Sequence, residues 1–87
     1  MNMVNHNLKE DRYSTSDTQL AAYIQTEGFE LLEILPGQRA QFVFLNDSVK
    51  LQEQVRLFLA GKAKVEPSLY MRNYRTLARK AREGLPL

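Results

Sequence analysis

The chain has 87 residues, room for one domain, and its 44% hydrophobic and 25% charged residues give a globular rather than a disordered balance. The absence of cysteine excludes a disulfide framework and any thiolate metal site, and suits a reducing compartment. No apolar run approaches the roughly 20 residues that span a bilayer. The stretch Met1-Asn2-Met3-Val4-Asn5-His6-Asn7 lacks the apolar core of a signal peptide, so a cytoplasmic protein without a membrane partner is expected.

Residues 1–12 are polar and without periodicity, which predicts a mobile N-terminal tail ahead of a single domain at 13–87. Tyr13-Ser14-Thr15 has weak strand character and suits an edge. Ser16 with Gln19 three residues on reads as a capping box that opens a helix, with Asp17 favoured at the positive end of the helix dipole. Leu20, Ala21, Tyr23 and Ile24 form its apolar stripe, and Gly28 suits the position just past its end.

Phe29 to Leu35 reads as a strand, Pro36-Gly37 as the centre of a type II turn, and Gln38 to Leu45 as the return strand. Ala40, Phe42 and Phe44 share one face of that strand, and Val43 and Leu45 the other. A run apolar on both faces predicts a central or interface strand. Asn46-Asp47-Ser48 offers the next N-cap. Leu51, Val55 and Phe58 repeat at helical spacing with Leu59 beside them, and Ala60-Gly61 ends that helix. After the connector from Lys62 to Glu66, Pro67 fits the first turn of a last helix that runs to about Glu83 and is stopped by Gly84 and Pro86. The expected fold is therefore α+β, a small antiparallel sheet around one hairpin with three packed helices, in the order (β)αββαα.

The net charge of +2 conceals an asymmetry. Residues 1–43 hold three basic and six acidic side chains, a balance of −3, whereas residues 44–87 hold nine and four, a balance of +5. Two such halves can attract within one fold, pair head-to-tail between copies, or offer a basic surface to nucleic acid. The positive charge concentrates in the last helix, where Arg72, Arg75, Arg79 and Arg82 fall within an arc of about 80°, with Lys80 flanking them. Tyr70, Tyr74, Leu77 and Ala81 occupy the opposite, core-facing side. Guanidinium forks bind phosphate bidentately and stay charged. The competing reading is a solvated face that pairs locally with Glu83 and with acidic residues elsewhere. Surface ion pairs contribute only about 0–1 kcal/mol each, so stability alone gives little reason for four aligned arginines. Lys62 and Lys64 extend the patch if the connector lies beside it.

The segments from Tyr13-Ser14-Thr15-Ser16-Asp17 to Leu20-Ala21-Ala22-Tyr23, then Gly28-Phe29, Phe42-Val43-Phe44, and Phe58-Leu59-Ala60-Gly61 with Val65-Glu66-Pro67 following, resemble a family of small uncharacterised domains from bacteria and their phages. The resemblance covers about residues 13–80. It rests on core and cap positions, so it implies a fold and a prokaryotic or mobile-element setting but no reaction and no catalytic residue. Where that family carries Trp after the Phe of the second helix, this sequence has Leu59.

Other constellations are weaker. Glu27, Glu30 and Glu33 do not converge locally, so they read as solvated surface residues rather than an acid–base pair or a cation site. His6, the single histidine, falls in the tail. No Gly-rich phosphate loop or nucleophile elbow is present, and no enzyme, cofactor or metal is expected. The surplus apolar surface of the hairpin is covered either by helices on both sheet faces or by a second copy in a homodimer. The leading functional expectation is a non-enzymatic binding or regulatory module that contacts nucleic-acid backbone through Arg72, Arg75, Arg79, Lys80 and Arg82. The alternative is a protein-interaction or self-associating module whose arginine face meets an acidic protein surface.

Overall fold

The computed structural model describes residues 11–46 and 49–84. The elements follow the order β1 (Arg12–Thr15), α1 (Thr18–Thr26), β2 (Leu31–Leu35), β3 (Gln41–Leu45), α2 (Val49–Leu59) and α3 (Pro67–Glu83). The strands form one antiparallel sheet in the order β1-β3-β2, so the most apolar strand is central. This is the expected α+β arrangement. Most of the expected tail, His6 included, and the cap residues Asp47 and Ser48 lie outside the described residues, as does Pro86. Arg12, assigned to the tail from sequence, is the first residue of β1.

Three local expectations are corrected. Asp17, not Ser16, is the N-cap of α1. Its carboxylate accepts from the Gln19 and Leu20 amides at 3.0 and 3.2 Å. One ionised oxygen serving two orphan amides outcompetes a hydroxyl one residue earlier. The hairpin has no tight turn at Pro36-Gly37: β2 ends at Leu35 and β3 begins at Gln41, leaving a five-residue loop. Gly37 has φ of 154°, far from the value of about 80° that a type II turn requires at that position. Phe29 and Glu30 precede β2 rather than belonging to it, and the β2–β3 register slips between Leu31 and Glu33.

Gly28 does end α1. With φ of 98° it lets its own N–H reach the Gln25 carbonyl and the Phe29 N–H reach the Ile24 carbonyl, the paired bonds of a Schellman motif. Phe29 thereby folds back onto Ile24 and joins the core.

Cross-strand pairs sort the sheet faces. Tyr13 and Leu31 pair with Phe44, and Thr15 and Ile34 with Phe42, on the face that meets the helices. Leu20, Ala21, Ala22, Tyr23 and Ile24 of α1, Leu51 and Val55 of α2, and Leu77 of α3 complete a single core cluster with the two phenylalanines. Val43 stands outside that cluster, on the back face, with Ser14 and Glu33 as its partners. Of the two alternatives for the hairpin's surplus apolar surface, helices on both faces of one monomer is not what forms: all three helices share one core on one side. A single helical layer has only enough apolar surface to cover one sheet face. On the back face Arg12 of one edge strand reaches Glu33 of the other at 3.2 Å, spanning β3.

Leu77, 1% exposed, is the point where α3 enters the core. Leu77→Ala is expected to lower unfolding free energy by about 2–5 kcal/mol. Asp17→Ala is expected to cost about 1 kcal/mol. Urea denaturation followed by far-UV circular dichroism measures both, and equal losses would mean that α3 is not anchored through Leu77.

Candidate polyanion-binding surface on the last helix

The start of α3 is fixed by its own sequence. The Glu66 carboxylate accepts from the Ser68 and Leu69 amides at 3.1 and 2.8 Å, and Pro67 occupies the first helical position. These amide bonds, with a smaller contribution from the positive charge of Arg72, hold the Glu66 carboxyl below its usual range. From sequence Glu66 was only the end of a connector. An acceptor directly before a helix-starting proline was the signal that could have identified it. At the other end Gly84, with φ of 68°, donates to the Lys80 carbonyl and closes the helix.

The inner face of α3 docks through Leu77, Tyr70, Tyr74 and Ala81. Tyr70 and Tyr74 stack on each other with ring centroids 6.4 Å apart, half-buried against the core. The Tyr70 hydroxyl donates to the Gln19 carbonyl at 3.4 Å. Burial, then Tyr74 and Asp17, raise its pKa, so it remains a protonated donor. Asn73 adds a 3.0 Å bond to Thr26 Oγ1, tying α3 to the end of α1. The tyrosines are therefore packing groups at the rim of the core.

The outer face carries Arg72, Arg75, Arg79 and Arg82, all exposed. Ten residues at 1.5 Å rise spread them over about 15 Å. Among the described residues, Arg79 has an ion pair with Glu83 at 3.7 Å, one turn along the same helix. Further ion pairs join Arg12 to Glu33 and Glu53 to Arg56. None of the three joins the acidic first half to the basic second half, so the two halves do not neutralise each other through these contacts. Lys80 and Arg82 also occupy the last turn, where cations favour the negative end of the helix dipole. Lys62 and Lys64 are exposed on the connector ahead of the Glu66 cap, before the arginine row begins.

Two concavities flank this face. A shallow groove of about 380 Å³ is lined by Tyr74, Arg75, Thr76, Ala78, Arg79 and Arg82. A more enclosed cleft of about 520 Å³ opens between the hairpin loop and the end of α3, with Ile34, Pro36 and Ala40 on one side and Lys80, Ala81, Arg82 and Glu83 on the other. Arg82 belongs to both. The spacing of the arginines was legible in the sequence. The cleft was not, because residues 34–40 and 80–84 meet only through the tertiary fold. Glu27, Glu30 and Glu33 form no cluster, and no group of three or more His, Cys, Asp or Glu able to hold a metal ion occurs among the described residues. Nor is any helix there long and apolar enough to cross a membrane.

Residues 10–83 match the family described as domain of unknown function DUF5659, and the chain belongs to that family. No curated protein and no solved structure matches it.

The cap at Glu66 makes the start of α3 pH-dependent. A carboxyl with a lowered folded-state pKa contributes its stabilisation fully above the unfolded value of 4.5, and loses it as pH falls through the folded value. Wild-type melting temperature is expected to fall on acidification below that range more than that of Glu66→Gln, with the two curves converging at low pH. Thermal melts by circular dichroism across about pH 3–7 check this, and parallel curves would exclude the cap as the titrating group.

Proposed function

We propose that this member of the DUF5659 family is a non-enzymatic binding or regulatory module that contacts the backbone of nucleic acid through the outer face of α3, in the bacterial or phage setting that the sequence resemblance implies. The observation that carries the proposal is the exposure of four aligned arginines on a helix anchored by Leu77 and Asn73, with Glu83 paired to Arg79 and Glu66, already engaged as the helix cap, near Arg72. A rigid row of permanent charges suits phosphate because little side-chain order has to be created around each fork on binding. Duplex DNA presents one phosphate charge per about 1.7 Å of axis, so a row of about 15 Å faces several phosphates at once. Tyr74 edges the shallow groove but is half-buried in packing against the core, so the contact is electrostatic and tolerant of sequence.

A second reading draws on the charge asymmetry. The acidic first half and the basic α3 are unneutralised by any of the ion pairs above, which favours a head-to-tail contact between copies or a contact with another acidic protein surface. Val43 on the back sheet face is only 5% exposed, so it offers a second copy little apolar area.

Fluorescence anisotropy with labelled DNA at low ionic strength tests the first reading. If all four arginines contact phosphate, the slope of log K against log salt approaches about −3.6 on duplex DNA. Replacing all four with Ala abolishes binding while preserving helix content, since alanine is the strongest helix former. Absence of binding at low salt, or binding that survives the fourfold replacement, would sink the proposal. Light scattering of the free protein at the same ionic strength decides the second: a salt-sensitive dimer supports it and a monomer excludes self-association.

A further inference from the structure

We propose that the cleft between the hairpin loop and the end of α3 receives one unpaired nucleotide of a strand held on the arginine row, so that the module prefers single-stranded to duplex nucleic acid. The inference rests on the nucleic-acid reading above and names its substrate class.

Consecutive helical residues are turned by about 100°. Ala81 faces the core, and Lys80 and Arg82 therefore stand on either side of it, flanking a small apolar floor, while Glu83, the one carboxylate in the lining, is drawn toward Arg79 at 3.7 Å and leaves a net positive rim. Across from them Ile34, Pro36 and Ala40 supply an aliphatic wall. A volume of about 520 Å³ lies within the range of small-molecule sites and exceeds what one base and sugar require. The pairing of an apolar wall with flanking cations fits a group that is flat and weakly polar at one end and anionic at the other. A nucleotide has that form, its base against the loop and its phosphate on Lys80 and Arg82.

Arg82 is shared by this cleft and by the groove that contains Arg75 and Arg79. A backbone lying along the groove therefore enters the cleft at Arg82. A base inside a duplex is stacked and paired and cannot enter. One in a single strand needs only to turn out of its stack.

Anisotropy titrations with labelled strands of about ten nucleotides, as single strand, as duplex and as a single strand with abasic positions, measure the preference. The intact single strand is expected to bind about tenfold tighter than the duplex, and the abasic strand to lose that advantage. Pro36→Glu places a carboxylate at the exposed cleft wall, across from Arg82, the arginine that the cleft shares with the row. It should remove the single-strand advantage, lowering single-strand affinity more than duplex affinity, with a thermal melt confirming that the variant folds. A nuclear magnetic resonance titration with adenosine monophosphate distinguishes sources. Shifts in residues 34–40 and 80–82 mean that a free nucleotide suffices. No shifts, with the strand preference intact, mean that the nucleotide must be carried by a strand. Equal single-strand and duplex affinity overturns the cleft assignment while leaving the proposed function standing, as does a Pro36→Glu effect of equal size on both. Failure of every nucleic acid to bind overturns both.

Discussion

Five consecutive residues of α1, Leu20 to Ile24, are buried, and a helix in that state must be covered on every side. The rest of the fold follows from this demand. The sheet supplies Phe42 and Phe44 against one side, α2 supplies Leu51 and Val55, and α3 supplies Leu77 with its tyrosines. Ala21 and Ala22, both fully buried, have no side chain beyond Cβ, which lets neighbouring elements approach α1 closely. A chain of 87 residues has little apolar surface to spare, and wrapping it around one central helix uses most of it on a single core.

This arrangement decides what is left outside. With α1 at the centre, α3 can bury only one stripe, and its opposite stripe, the arginine row, faces solvent whatever its role. Leu77 at its middle, the bond from Asn73 to Thr26, and the Glu66 and Gly84 caps at its ends hold the row on a helix with few ways to move. The back of the sheet is also left outside, and there a cross-strand ion pair rather than a fourth helix lies over β3. Electrostatics thus acts at the periphery of the molecule while packing fixes its centre.

Much of this was legible in the residues because it depends on local periodicity. The three helices, the hairpin strands, the terminating role of Gly28 and the facing of Phe42 against Val43 all follow from spacings of two or about 3.6 residues and from positive-φ glycine. Where two local solutions compete, the sequence ranks them poorly. Ser16 and Asp17 are both good caps, and the outcome turned on which oxygen could reach two amides at once. Pro36-Gly37 fits a tight turn in isolation, yet the register of β2 on β3, shifted at Leu31 to Glu33, leaves five residues to connect the strands. Glu66 carries a cap whose only sequence cue is the proline that follows.

By itself the sequence determined the elements, their order and the segregation of arginine and apolar residues onto opposite faces of the last helix, since each is a property of neighbours along one chain. Only the tertiary structure decided that the helices share one side of the sheet and that the hairpin loop meets the end of α3 to form a cleft ending in Arg82. Those outcomes depend on residues some 40 positions apart being drawn together by burial of a common core, and no local spacing encodes that distance.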